Sequence, residues 1–465
     1  MTHIPPGPLT RDICKQYIEE HLFDSTLIGN TGKLQNGVGC IGLELEAFPY
    51  KLSEQKEIKP ARLYGGSESL AATLIRTSEL RGGKLRFFDQ KADDENQEPL
   101  LASIHFPEGS NFNFEPGAQI EISTTPCISF QQLNEQINGM QQILARVSSN
   151  SPFQFVQTGT NPFFTVTESG MQMNKPRYLA MARYFNSIGP YGIMMMVQTC
   201  SLQVNMDTGM DWDIRSKRII AANLLAPFAT ALFANSSVTA GKANGHKSYR
   251  SFIWQQLDAT RTGLLPFDKR APGFDKEAII EAYLNFALKA PVIFIEDFSE
   301  EWFPDNITME YWMKHPVKGL LPSLAHFKNH LTLLFPEVRL KGYLELRSVD
   351  APPREWQLVP ALFYSGLLYN NNCLNKTLDI LLPLALDTTL LMKQATHGLE
   401  SEDLFKIAKK LLRLSVDGLA GLPDKFKSDT DVQLLVSFYE NYTLQRKTFA
   451  DDFLEKLKAG KIIIP

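Results

Sequence analysis

The sequence predicts an α+β fold, with one sheet whose apolar face lies under helices and whose polar face lines a cavity. Three observations predict it. Four segments far apart in the chain, at 41–48, 119–123, 199–207 and 343–349, alternate polar and apolar residues with a period of two, as a strand with two unlike faces does. Stretches at 9–28, 66–80, 127–148, 177–185, 213–235 and from Pro360 onward instead read as helices, most of them with apolar residues at helical spacing. Turn signals such as Pro116-Gly117, just before the second of these strands, punctuate the chain.

Taken in order, the first helical stretch carries Ile13, Tyr17, Ile18 and Leu22 and ends near Gly29. The Gly29-Asn30-Thr31-Gly32-Lys33 run fails as a phosphate loop, because Leu27 stands where the first glycine belongs and Leu34 follows the lysine. Ile41-Gly42-Leu43-Glu44-Leu45-Glu46-Ala47-Phe48 then puts Glu44 and Glu46 on one face of a strand. Two neighbouring anions repel, so positive charge is expected between them. A half-exposed strand with both glutamates in water would explain one such pair, but the pattern returns.

A polar, acidic stretch at 89–98 reads as a hairpin tip or loop. After Glu115 and the Pro116-Gly117 turn, Gln119, Glu121 and Ser123 share a face opposite Ile120 and Ile122. Residues 153–158 read as a strand and 177–185 as a helix beginning at Arg177. Gly189-Pro190-Tyr191-Gly192 is a turn, and Met194 to Met196 are core filler. In the third patterned strand Ser201, Gln203, Asn205 and Asp207 fall on one face. Cys200 falls on the other, as a small core hydrophobe rather than a nucleophile. The glycine- and base-rich run from Gly241 to Arg250 fits either contact with an anion or nucleotide phosphate, or a solvated basic loop. The fourth strand sets Glu345 and Arg347 on one face, and amphipathic helix follows, with Gly418 and Gly421 near helix ends.

The 465 residues are 44% hydrophobic and 21% charged, with a formal net charge of -4, enough for a large core and without the basic excess of a nucleic-acid binder. No apolar run is long enough to span a bilayer, and no hydrophobic leader opens the chain. The five cysteines are scattered without a C-x-x-C, which suits free thiols in a reducing compartment; a cytoplasmic location is expected.

Summed over the strands, the polar face gathers Glu44, Glu46, Glu121 and Glu345 with Gln119, Gln203, Asn205 and Arg347, and Glu115 at the turn. Carboxylates collected in one cavity raise one another's pKa unless neutralised. An oxygen-rich set without thiolates selects Mg²⁺ or Mn²⁺, and more than one ion suits a nucleotide triphosphate. Arg177, Lys217, Arg218, Lys242, Arg250, Arg261 and Arg347 are the candidate partners for phosphate oxygens and a substrate carboxylate. The residues alone reach as far as Mg²⁺-dependent chemistry on a phosphorylated or nucleotide ligand.

Several ordered blocks carry a resemblance. Gly42 to Glu46, Phe114 to Ser123, Arg183-Tyr184-Phe185 on to Gln203-Val204-Asn205, and Ala231 to Ser236 with Gly241-Lys242 and Asn244-Gly245 are four of them. Arg250-Ser251 with Ile253-Trp254, Arg261 to Phe267, and Phe335 to Arg347 complete the set. Together they resemble the plant and proteobacterial type of glutamate–cysteine ligase, over about residues 40–350. The resemblance implies a glutamine-synthetase-like fold, a curved and mostly antiparallel sheet forming a funnel with helices outside. It implies a single catalytic domain over 1–465, its core motifs at 40–350 and a helical part at 355–465.

The implied reaction joins L-glutamate and L-cysteine at the expense of ATP to give γ-glutamylcysteine for glutathione synthesis. By the same resemblance Glu44, Glu46, Glu115, Glu121 and Glu345 bind two or three Mg²⁺ ions, and Gln203 is a further metal-side or nucleotide-side group. Arg177, Arg250, Arg261 and Arg347 serve the glutamate carboxylate and the phosphates, with Gln119, Asn205, Lys217 and Lys242 as further substrate or nucleotide contacts. Partners are expected to be these small molecules alone, the protein being a monomer or weak homodimer. The redox-regulatory cysteine pairs of the plant enzymes have a counterpart here only at Cys200, so a disulfide-switched dimer is not expected. A relative taking another amine, or serving another thiol pathway such as ergothioneine, would keep the same metal and ATP residues. A non-catalytic γ-glutamyl or glutathione sensor would tend to lose the metal carboxylates.

Overall fold

A large open antiparallel sheet organises the computed structural model, which describes residues 8–24, 38–88, 100–265, 275–298 and 302–460. The 29–33 loop, the acidic stretch at 89–98, and Pro266 and Phe267 lie outside the described residues. The strands are β1 (Ile41–Leu52), β2 (Ile58–Pro60), β3 (Lys84–Phe87), β4 (Leu101–His105), β5 (Asn111–Phe114), β6 (Ile120–Ser123), β7 (Phe153–Val156) and β8 (Ser201–Met206). They continue with β9 (Val238–Thr239), β10 (Lys242–Ala243), β11 (Thr262–Gly263), β12 (Phe335–Pro336), β13 (Val338–Leu340) and β14 (Leu344–Asp350). The main sheet runs β13-β14-β8-β1-β6-β5-β4-β3, antiparallel at every step, and does not close into a barrel. β1 is long enough to serve twice: its first half pairs with β6 and β8, its second half with β2 and β7.

Alternation decides which face is covered. Leu43, Leu45, Ala47, Ile120, Ile122, Leu202, Val204, Leu344 and Leu346 are buried in the main core. Against them lie Phe130, Ile137 and Leu144 from the helix Phe130–Asn150, and Ile219, Leu225 and Phe228 from Trp212–Leu232. Ser129 and Asp211 cap these two helices, each side chain accepting from the backbone N–H three residues on.

One segment differs from its sequence reading. The Gly189–Gly192 turn opens directly into a helix, Tyr191–Gln198, which was hidden because its Met-rich run has no polar face to set a period. Gly418 and Gly421 fall at the end of the helix Glu402–Ala420, as read, Gly418 in its last turn and Gly421 at its C-cap. That helix crosses Val359–Leu368 so closely that a Cβ on Gly418 would lie 2.0 Å from the Gly366 carbonyl oxygen.

The helices Lys276–Lys289 and Leu324–Leu331 are joined through His330, whose Nε2–H donates to the Ala287 carbonyl at 2.8 Å. Burial, with nearby Arg261, pushes the imidazole pKa down to about 3 although the bond to Ala287 opposes this. The folded chain therefore keeps His330 neutral, while the unfolded chain protonates it below about 6.5. Its stabilising share is present above that pH and is lost as pH falls toward 3. Between pH 7.5 and pH 5 the loss is about 2 kcal/mol. Other groups that titrate in this range contribute equally to both proteins, so urea unfolding at the two pH values should show a change about 2 kcal/mol less favourable in the wild type than in His330→Gln; equal changes would count against the assignment.

Candidate active site

The uncovered face of the sheet is built in rows fixed by register. Asn113, Glu121 and Glu46 stand side by side across β5, β6 and β1. Ser123, Glu44 and Gln203 form the next row, and Gly42, Asn205, Glu345 and Arg339 the one after, across β1, β8, β14 and β13. Glu115 joins from the turn before β6. A bulge in β14 between Leu346 and Val349 breaks the ladder beside Arg347. The guanidinium donates from Nη1 to Gln203 Oε1 at 2.7 Å and to Glu345 Oε2 at 2.8 Å.

Of these, Glu44, Glu46, Glu115, Glu121, Gln203, Glu345 and Arg347 floor a cavity of about 420 Å³. Its carboxylates are Glu44, Glu46, Glu115, Glu121 and Glu345, and its cations are Lys175, Arg177, Arg250, Arg339, Lys341 and Arg347. Met181, Met195, Met196, Tyr178, Trp254 and Phe335 make an apolar wall.

The carboxylates are not equivalent. Burial, then Glu345 and Glu121, push Glu44 up to about 7. Burial, then Glu121 and Glu46, push Glu115 up to about 8. Glu46 and Glu121 are also raised, first by burial, although Glu46 accepts from the Ser201 N–H at 2.6 Å and Glu121 from Asn113 and Ser123, both at 3.0 Å. Glu345 pays the same burial penalty, but Arg339, Arg347 and Lys341 outweigh it and hold its carboxyl down to about 2. Lys341 Nζ lies 2.9 Å and Arg339 Nη1 3.5 Å from it.

Hard oxygen donors whose charge is poorly compensated fit a divalent, oxygen-seeking cation, and no thiol or imidazole lines the cavity to favour zinc. Among the described residues, no group of three or more His, Cys, Asp or Glu stands close enough to hold an ion. The floor supplies the right donors without their being drawn together.

Other sequence candidates fall elsewhere. Lys217 pairs with Asp213 at 2.7 Å within its own helix, and Lys242 is exposed on β10. Neither lines the cavity: Lys217 stays on the helix Trp212–Leu232, and the glycine- and base-rich run that carries Lys242 folds as the β9–β10 ribbon and a helix start capped by Ser248. Arg218 is buried and donates to the Leu368 and Asp207 carbonyls. Arg261 is fully buried, held by Asp258 at 2.9 Å, by the Leu333 carbonyl at 2.9 Å and by the Pro291 carbonyl, so it cannot touch a ligand in the cavity. Asn205 is half-buried on the same face but does not line the cavity; its Nδ2 donates to Glu44 Oε1 at 3.1 Å and its Oδ1 is unpartnered. Gln119 reaches the cavity edge, but its amide ties the Gly117 turn to the Met196 and Thr199 carbonyls.

Sequence reasoning missed Lys175, Arg339, Lys341, Thr332 and Trp254. The alternation Val338-Arg339-Leu340-Lys341, leading into β14, was the available signal for two of them. Trp254 lies beneath Arg347 and Arg250, its centroid 5.7 and 6.0 Å from their guanidinium carbons.

Residues 40–410 match the family model for glutamate-cysteine ligase family 2. The chain belongs to that family. Its relatives include the chloroplastic glutamate–cysteine ligases of Medicago truncatula (33% identical over 391 residues, 82% of this chain and 72% of that one) and Brassica juncea (35% over 395 residues, 82% and 71%). That of Arabidopsis thaliana is 36% identical over 324 residues, 66% of this chain and 60% of that one. As a member of the glutamate–cysteine ligase family the chain is an enzyme. The expected cytoplasmic location is overturned, because these relatives are all named chloroplastic. The signal behind that expectation could not have separated the two: free, buried cysteines report a reducing environment and not which compartment provides it. No helix among the described residues of this ligase is long and apolar enough to cross a membrane.

Proposed function

We propose that this chain uses ATP to join the γ-carboxylate of L-glutamate to the amine of L-cysteine through γ-glutamyl phosphate, giving γ-glutamylcysteine. What carries the reading is one cavity in which buried, repelling carboxylates face a rim of guanidinium and ammonium groups, in a chain of this family. A γ-carboxylate oxygen attacks the γ-phosphorus and ADP leaves; the cysteine amine then attacks the acyl carbon and phosphate leaves. The activated carbon is carried by the substrate, so no protein nucleophile is needed. Cys200, whose thiol is fully buried and pushed far above its usual pKa by that burial, is not available as one.

Glu44, Glu46, Glu115, Glu121 and Glu345 would hold Mg²⁺, whose positive charge would offset the negative charge of the triphosphate. Arg347 and Arg250 face the same space and serve developing charge on the transferred group, while Arg177, Lys175, Arg339 and Lys341 receive carboxylate and phosphate oxygens. The apolar wall excludes water from the acyl phosphate, which would otherwise hydrolyse.

The test is ADP release by the purified chain with glutamate, cysteine and Mg²⁺, each omitted in turn, and with 2-aminobutyrate and other amines in place of cysteine. Release should require both amino acids and vanish in excess chelator, returning on addition of Mg²⁺, with γ-glutamylcysteine identified by mass. ADP release independent of glutamate, or full activity in chelator, would defeat the proposal.

A further inference from the structure

One uncharged residue ties down two of the cavity's cations. Thr332 follows the helix Leu324–Leu331 and its side chain opens on the cavity rim. Its hydroxyl accepts from Arg177 Nη1 at 2.7 Å and donates to the Asn329 carbonyl at 2.6 Å. Its carbonyl accepts from Arg177 Nη2 at 2.9 Å and from Arg339 Nη2 at 2.8 Å. Arg177 comes from the start of the helix Pro176–Ile188 and Arg339 from β13, so two separate elements meet at this one backbone position.

The position is itself fixed from below. Arg261 donates from Nη1 to the Leu333 carbonyl at 2.9 Å, and the Phe335 N–H donates to the Arg261 carbonyl at 2.7 Å. Asp258 holds Arg261 by Nε at 2.9 Å and accepts from the Tyr184 hydroxyl at 2.6 Å, while Tyr184 stacks under the guanidinium at 4.9 Å. A rigid buried knot thus sets the chain from Leu333 to Phe335, and Thr332 hangs from it.

We propose that Thr332 is a positioning residue: it holds Arg177 and Arg339 as a matched pair that receives an oxyanion at the rim, with Arg261, Asp258 and Tyr184 as its buried support. Without the hydroxyl, Arg177 keeps one carbonyl contact and can swing about it, losing the two-point grip that fixes a planar fork. The oxyanion is the α-carboxylate of the amino acid or a phosphate of the nucleotide; both present paired oxygens to paired N–H groups. This inference rests on the ligase reading for the names of those ligands but not for the geometry of the pair.

The experiment compares Thr332→Val and Thr332→Ser with wild type. Equilibrium titrations with L-glutamate and with ATP, each followed by tryptophan fluorescence or calorimetry, read the pair without turnover; KM and kcat follow where turnover exists. Thr332→Val should bind one or both anions about tenfold more weakly, with KM rising more than kcat falls and with thermal stability close to wild type. Thr332→Ser should restore binding. A change confined to glutamate assigns the pair to the carboxylate, one confined to ATP to phosphate, and one in both to a shared edge. Unchanged constants for both anions, or a loss explained wholly by lowered stability and not rescued by serine, would overturn the proposal. A wild type that binds these anions but makes no γ-glutamylcysteine would sink the ligase reading while still deciding the role of Thr332.

Discussion

Glu46→Gln should cut turnover by about 10²-fold or more while leaving the chelated protein at least as stable as wild type. The two effects come from the same cause. Glu46 lies directly across from Glu121 in the β1–β6 ladder, and both are buried. In the absence of a cation, burial raises the Glu46 pKa more than Arg250 and the Ser201 N–H lower it. Glutamine keeps the volume and can still accept from Ser201, but removes the ionisable charge. The ligand-free fold should gain up to about 1 kcal/mol, in line with like charges opposed across strands. Turnover should fall because the proposed Mg²⁺ site loses one of its anionic ligands and with it part of its hold on the cation that offsets the triphosphate's negative charge. Steady-state rates over a range of Mg²⁺ concentrations, with thermal unfolding in chelator, check both halves. Unimpaired turnover would remove Glu46 from the metal set.

Arg347→Met should lower kcat/KM by about 10³-fold, the cost of deleting a half-buried donor aimed at developing charge. Unlike Glu46→Gln, it should also destabilise the fold. Arg347 is one of three cations that keep Glu345 ionised in a site where Glu345 is 1% exposed. Taking it away leaves a buried carboxylate with Arg339 and Lys341 and leaves Gln203 Oε1 without its 2.7 Å donor. Arg347→Lys keeps the charge but not the fork that reaches Gln203 and Glu345 together, so it should recover stability more fully than rate. Measuring kcat/KM and the unfolding midpoint for both variants separates these contributions. Turnover within tenfold of wild type in Arg347→Met would exclude a role in the chemistry.

The strands were legible because their code is short-range. Glu44 and Glu46 share a face whatever lies around them, and so do Gln119 and Glu121, or Glu345 and Arg347, since alternation follows from the backbone itself. Cations at loops and helix ends carry no such phase. Lys217 and Lys242 satisfied the same composition rule as Arg177, yet one closes an ion pair with Asp213 and the other faces solvent. Arg261 was singled out as a cation near a conspicuous block, and the fold spends it inside, under Leu333. Its role is to support a rim whose other parts come from residues 177 and 339.

By itself the sequence determined the α+β class, the polar and apolar faces of four strands and the carboxylates that share those polar faces, because each depends on residue type and local spacing. Only the tertiary structure decided which strands are neighbours, which glutamates oppose each other, and which cations reach them. Those are long-range facts: Glu345 meets Asn205, and Arg177 meets Thr332, only after more than a hundred residues of intervening chain have folded into place.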